Sequence, residues 1–502
     1  MSPITNLLVL VGYFLVLVFI SWVSGKTADK TSFYNGNRKS PWFLVAFGMI
    51  GASLSGVTFI SIPGWVNATH FGYMQTVFGY LIGYVVISQV LLPLYYRLNL
   101  TSIYTYLEKR YGTSGYKTGA AYFLISRVIG ASFRLFLVAG VLHLAIFKPL
   151  FTSFDFPYWA TVAITILLIF TYTTKSGIKT VVYTDVFQTT FLVLAVVLTI
   201  GYIASQMNLS FDGLINALVD DPNTQIFHWD WKSNNFFWKQ FVGGAFIALV
   251  MTGLDQDMMQ KNLSIKNIKS AQKNIYAQMV MFIIVNIVFL SLGALLYQYQ
   301  TFAGVGAVES SDQLFPTIAL QHASPIIGLF FILGLVAAAY SSADSALTAL
   351  TTSFCVDFLG FESKRPTNIK TRRLVHLGFA TILFFTILIF KEINNDAVIK
   401  QLFTAAGFTY GPLLGLFFFG ILTQIKVKDK VIPVITILSI ALTWFYYTYS
   451  PQWINGYKPG FELILINGCI TFVLLALAKE SNEKVKLQSE TKDELDILDN
   501  EI

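Results

Sequence analysis

The chain has 502 residues, of which 55% are hydrophobic and only 12% charged, with 45 phenylalanines and a formal net charge of +7. Its mean hydropathy is +0.62. This composition describes a polytopic membrane protein and leaves no stretch for a soluble catalytic domain. The positive charge sits in alternate loops and forms no basic face, so nucleic acid is not expected as a partner.

A helix needs about 20 apolar residues to cross a bilayer. Thirteen such stretches follow one another, at 4–24, 42–70, 72–96, 118–147, 158–174, 182–205, 237–259, 275–298, 316–356, 374–390, 398–424, 431–449 and 461–478. The first has no basic segment before it and no small-residue cleavage site before Ser24, so it reads as a retained helix. Lysine and arginine concentrate in the loops at 26–39, 97–117, 175–179, 261–273, 364–373 and 426–430. The opposite loops are poorer in them, and the longest, 206–236, carries Asp212, Asp220 and Asp221. The basic loops are thus expected in the cytoplasm, with the N-terminus outside and the C-terminus inside a cell membrane. The charged tail 479–502 is expected to be largely disordered.

In chain order, the first functional signal is the stretch 42–70, where Gly48, Gly51, Ser53, Ser55 and Gly56 interrupt the apolar run. Glycine and serine make unwinding cheap, and unwound backbone at membrane depth is tolerated around a cavity. Close packing through small residues explains the same pattern. Arg127 and Arg134 are the only arginines inside predicted spans, seven residues apart and on nearly one face. Arg127 lies near enough to the cytoplasmic end to snorkel. Arg134 is deeper and needs a carboxylate, carbonyls, water or an anionic ligand. Asp185, in VVYTDVFQTTFLV, is an intramembrane acid at a helix start, and either offsets the helix dipole or faces a site.

The stretch 237–259 is interrupted at Gly243, Gly244 and Gly253, as 42–70 is. Paired interruptions suggest inverted repeats, a first at 42–205 and a second at 237–424, with substrate and ion near the midplane. On that division 1–41 is an additional helix with its loop, 206–236 an outside loop, and 425–478 two terminal helices. Asp255 and Asp257 adjoin Lys261, which fits a cytoplasmic gate or a helix-end pairing. The strongest signal comes last, in AYSSADSALT from Ala339. Ser341, Asp344 and Ser345 share a helical face, and Ser342 pairs with Ser345 at i+3. Oxygen ligands without nitrogen or sulfur suit a hard cation. Cys355 and Cys469 suggest no disulfide, and the five histidines show no metal-ligand spacing. No nucleotide loop or nucleophile motif is present, so transport powered by bound ATP is not expected.

Six segments in order resemble the sodium:solute symporters, from about residue 5 to 478. They are GASLSGVTFISIPG from Gly51, TSIYTYLEKRYG from Thr101, SGIKTVVYTDVFQ from Ser176, GLDQDMMQKNL from Gly253, AAAYSSADSAL from Ala337 and FTYGPLLGLFFFGI from Phe408. The resemblance implies an all-α, LeuT-type five-plus-five core and sodium-coupled uptake of a small-molecule substrate, not enzymatic activity. It implies a general Na+ site at the carbonyls of Gly51, Leu54 and Ala338 with the hydroxyls of Ser341 and Ser342. A second sodium would use Asp185, Ser341, Asp344 and Ser345, although Asp344 stands where the family has serine. That carboxylate then binds sodium, a proton or a lysine. Substrate would meet Ser53, Ser55, Thr58, Gln75, Met251 and Thr252, and Arg134 falls where carboxylate carriers place an arginine. The expected partners are the solute and membrane lipid, with a monomer as the simplest assembly. Proton-coupled symport on the same scaffold, and a non-transporting membrane sensor, are the alternatives.

Overall fold

The computed structural model describes residues 3–25, 38–151, 154–173, 178–361, 366, 368–393 and 398–484. Every one of the apolar stretches coincides with helix among them. Pro3–Gly25 comes first, then a pair, Trp42–Ser53 and Gly56–Thr69. Tyr73–Val86 runs on through a π-turn to Arg97. Thr113–Leu142, Tyr158–Thr173 and Ile178–Gln206 complete the first half. The second half opens with another pair, Phe237–Gly253 and Gln256–Leu263, bent by 63°. Ile268–Phe302, Pro325–Ser353 and Ile369–Ile393 follow, then Val398–Thr409 with Gly411–Leu422, and last Ile432–Trp453 and Leu463–Leu477. Among the described residues eight helices could cross a membrane by length and composition, or ten if the bent pairs Phe237–Gly253 with Gln256–Leu263 and Gln401–Thr409 with Gly411–Leu422 are each one span.

Two stretches differ from expectation. The long run 316–356 is not one helix: short turns at Leu314–Thr317 and Ile318–His322 end at extended Ala323, and Pro325 starts the long helix. Proline is pre-set for that first-turn position and lacks the amide that would go unpaired there. The tail is also not wholly unstructured. Lys479–Lys484 forms an antiparallel strand with Ile425–Val427, and 485–502 lie outside the described residues.

Large apolar side chains lie exposed on the outside, and charged ones are buried in the core. Leu8, Phe211, Leu374 and Leu477 are more than 60% exposed, while Asp185, Asp255, Asp344 and Lys261 are 1% exposed or less. A water-facing surface would not carry apolar area on that scale, whereas hydrocarbon accepts it. Helices then have no hydrophobic reason to associate and must gain from close packing. Glycines supply it. A Cβ on Gly79 would lie 2.0 Å from the Phe241 carbonyl oxygen, and one on Gly244 2.1 Å from that of Thr76. These contacts press Tyr73–Val86 and Phe237–Ala248 together backbone to backbone. Gly48 and Gly51 do the same for Trp42–Ser53 against Asp185 and Thr189 on Ile178–Gln206.

Gly79→Val should therefore force the two helices apart and destabilise the protein by about 1–3 kcal/mol, the usual cost of overpacking. Gly201, with nothing within 4 Å of its would-be Cβ, is the control. Thermal unfolding of detergent-purified protein should show a clear loss for Gly79→Val and little change for Gly201→Val.

Candidate ion and solute site

Both helix pairs break at a residue that leaves the helical region. Leu54 adopts φ −83°, ψ 74° and Ser55 is extended, so the first helix stops at Ser53. The Leu54 amide takes the Ile50 carbonyl, which leaves the carbonyls of the last turn, from Gly51 on, without an amide further along the ladder. In the second pair Leu254 and Asp255 are the break, and there the structure supplies substitutes. Tyr95 donates its hydroxyl to the Gly253 carbonyl at 2.8 Å, and Tyr104 to that of Leu254 at 2.9 Å. The Asp255 carboxylate caps the next helix, accepting the amides of Asp257 and Met258.

Around the first break the helices Ile178–Gln206, Gln256–Leu263 and Pro325–Ser353 all pack together. Asp185, Ser341, Ser342, Asp344 and Ser345 are all buried there. Ser341 donates its hydroxyl to Asp185 Oδ1 at 2.7 Å. The hydroxyl oxygens of Ser342 and Ser345 have no hydrogen-bond partner among the described residues, which is costly unless something else meets them. Ala338 lies one turn before Ser342, so its carbonyl and the two serine hydroxyls share a helix face. Neutral oxygens from two helices, with no histidine or cysteine among them, suit a hard cation of low charge.

At the first break, lined by Ser53 and Ser55, lies a cavity of about 70 Å³. Its walls include six predicted solute residues: Ser53, Ser55, Thr58, Arg134, Met251 and Thr252. Tyr73, Tyr80 and Tyr84 close one side, with Tyr73 and Tyr80 sharing a hydrogen bond at 3.1 Å, and Leu402 and Phe403 come from Val398–Thr409. Arg134 is 6% exposed, yet its Nε and Nη1 have no hydrogen-bond partner among the described residues. An arginine cannot shed its charge, so the cavity presents a fixed cation with open donors. Larger cavities of about 520 and 960 Å³ open near Leu98–Ser102 and near Val305–Ser310, away from these side chains.

Gln75 does not join the cavity. Its amide donates to the carbonyls of Gly72 and Asn235 and its oxygen accepts from the His228 amide, so it fastens the 206–236 loop. Arg127 does not snorkel either. It is 3% exposed and its guanidinium pairs with Asp257, with Asp255 at 3.6 Å. Tyr410 adds a hydroxyl to Asp255 at 2.7 Å. Lys261, counted above as a loop residue, is buried on Gln256–Leu263 and reaches Asp185 Oδ2 at 2.8 Å. Nothing in the sequence points to this partner, because Asp257, one turn before Lys261, is the nearer candidate. Tyr80, Tyr84 and Tyr410 were likewise not singled out, since aromatic residues in an apolar run carry no distinguishing pattern.

The family model for the sodium:solute symporter family matches residues 33–426. The chain belongs to this family. Relatives within it include sodium-coupled monocarboxylate transporter 1 of Xenopus laevis, 26% identical over 424 residues, covering 81% of this chain and 65% of that protein. The sodium/iodide cotransporter of Homo sapiens is 25% identical over 437 residues, covering 82% of this chain and 65% of that protein. The chain thus spans slightly under two thirds of the length of these relatives. A sodium-coupled sialic acid symporter, solved in a substrate-bound outward-open state, superposes with a TM-score of 0.79 at 20% identity, covering 94% and 97% of the two chains. A nucleobase-cation-symport-1 transporter in a closed conformation gives 0.55 at 13% identity, covering 89% and 93%. The shared fold is the LeuT type, and the chain is a multi-pass membrane protein.

The two arginines should separate cleanly in stability measurements. Removing one partner of a buried ion pair leaves an uncompensated charge and costs about 3–5 kcal/mol. Arg127→Met should therefore lower thermal stability sharply, and Arg127→Met with Asp257→Asn should recover part of it. Arg134→Met, which breaks no ion pair and removes an unmatched buried charge, should leave the unfolding temperature unchanged or higher.

Proposed function

We propose that this protein is a sodium-coupled symporter that takes up a small carboxylate-bearing solute by alternating access. One observation carries the choice of solute: Arg134 is buried in the wall of the internal cavity with two guanidinium nitrogens unpartnered. A planar fork of donors in a dry site suits a carboxylate, which can accept two parallel hydrogen bonds. The relatives named for monocarboxylate, iodide and sialic acid handle anions, which supports the same reading. Ser53, Ser55, Thr58 and Thr252 supply the remaining polar contacts, and Met251 with Tyr73, Tyr80 and Tyr84 an apolar and aromatic wall.

Sodium is a substrate of the same cycle. It would be held by the carbonyls of Gly51, Leu54 and Ala338 and the hydroxyls of Ser341 and Ser342, joining the first broken helix to Pro325–Ser353. Ser53 and Ser55 flank Leu54 and line the cavity, so ordering that break for sodium also shapes the solute site. By linkage, solute then tightens sodium by the factor with which sodium tightens solute. Each charge carried inward across about 100 mV releases roughly 2.3 kcal/mol. The repeats are 42–205 and 237–424, each opening with a broken helix. The basic loops face the cytoplasm, with the N-terminus outside and the C-terminus inside the cell membrane, and the carrier works as a monomer.

A thermal-shift screen of purified protein against sugars, sugar acids, amino acids, vitamins and monocarboxylates, in sodium and in potassium, tests this reading. Stabilisation by acids in sodium alone, lost in Arg134→Gln, is expected; stabilisation by a neutral sugar that survives Arg134→Gln would overturn the carboxylate assignment. With the solute in hand, Ser342→Ala should raise the sodium concentration for half-maximal uptake at least about tenfold, the effect of losing a contact to a charged group worth roughly 1.5–3 kcal/mol. Uptake that ignores replacement of sodium by choline, and collapses with the pH gradient, would instead establish proton coupling.

A further inference from the structure

Lys261 is 1% exposed, so its charge has to be met inside the protein. Its ammonium lies 2.8 Å from Asp185 Oδ2, and the other carboxylate oxygen, Oδ1, accepts the Ser341 hydroxyl at 2.7 Å. Both oxygens of Asp185 and the only hydroxyl proton of Ser341 are thus committed to one another. The first broken helix closes the third side: a Cβ on Gly48 would fall 2.9 Å from Asp185 Cβ. Asp344 follows one turn after Ser341 on the same helix and is fully buried. Asp185, Ser341 and Asp344 belong to the set that resemblance assigns to a second sodium ion, and the structure brings a lysine to it. A sodium ion on Asp185 would share that carboxylate with a cation already at hydrogen-bonding distance. Like charges repel far more strongly at such depth than in water.

We propose that the ammonium of Lys261 is the resident cation of the Asp185 position, so that the protein binds one sodium ion and not two. This rests on the sodium-coupled reading above and sets its stoichiometry. The lysine, the aspartate and the serine form a chain that ends at the remaining sodium site. Because Ser341 gives its proton to Asp185, its lone pairs are left for the ion held with Ser342. Lys261 is therefore a positioning residue for sodium as well as a substitute for it. The additional carboxylate of Asp344 fits the same account, since it offsets a charge that never leaves.

The test is equilibrium binding of radioactive sodium to the purified full-length protein, with ionic strength held by choline chloride. Wild-type protein should bind one sodium per chain, as should Lys261→Arg. Lys261→Met should bind two, and Lys261→Met with Asp185→Asn should return to one. Two sodium ions per wild-type chain would overturn the proposal whether or not any variant folds, and one per monodisperse Lys261→Met chain would overturn it equally. If wild type and Lys261→Met both bind no sodium that unlabelled sodium displaces, the sodium-coupled reading itself falls, and this inference with it.

Discussion

A helix that stops halfway across hydrocarbon must hand its unpaired backbone groups to something, because no water is there to take them. Two such stops, after Ser53 and after Gly253, organise this protein. At the second, side chains supply substitutes: Tyr95 and Tyr104 for the carbonyls of Gly253 and Leu254, Asp255 for the amides of Asp257 and Met258. At the first, Trp42–Ser53 packs against Pro325–Ser353, where the hydroxyls of Ser342 and Ser345 have no hydrogen-bond partner among the described residues. The asymmetry separates structure from function. A break satisfied by tyrosines is a hinge or anchor, whereas the break left with unpaired oxygens is where we propose that the cation binds.

Buried charge follows the same division. Arg127 and Arg134 lie on one helix at nearly one face, and depth alone distinguishes them in the sequence. Arg127 is enclosed by Asp255 and Asp257, and Tyr410 steadies the acid, so its cost is offset within the protein. Arg134 borders a cavity with donors unspent. A buried guanidinium without acceptors is expensive, and such expense persists where a ligand offsets it during the working cycle. Lys261 belongs with Arg127 in this scheme: its charge is met from within by Asp185.

Much of this was legible in the residues, and the boundary of legibility has a physical cause. Helical spans follow from hydropathy, and both breaks follow from clustered glycine and serine, because these are local properties. Six of the residues expected to meet solute, from four helices, also converge on one cavity, since the motif resemblance carries their three-dimensional relation with it. Ion pairing was not legible. Arg127 meets Asp257 130 residues away, and Lys261 meets Asp185 76 residues away, while nearer charges offered equally plausible partners. Gln75 shows the opposite failure. It sits in sequence where a solute contact belongs, yet one backbone hydrogen bond after another turns its amide toward the 206–236 loop. The strand at Lys479–Lys484 was hidden for a similar reason, because its partner, Ile425–Val427, carries no sign of the pairing.

Ser341 connects these strands of reasoning. A hydroxyl has a single proton and two lone pairs. In this structure the proton is directed to Asp185, which Lys261 holds from the other side, so the lone pairs are oriented without cost when an ion arrives. Lys261 sits on the half-helix just after the second break, and Gly51 and Leu54 sit at the first. The Lys261–Asp185–Ser341 chain therefore runs from one broken helix to the ion site of the other. Any motion of Gln256–Leu263 relative to Ile178–Gln206 acts on the Lys261–Asp185 pair and, through it, on the orientation of Ser341. Sodium affinity and the position of the second broken helix are then thermodynamically linked, which is the requirement for an ion gradient to drive a conformational cycle.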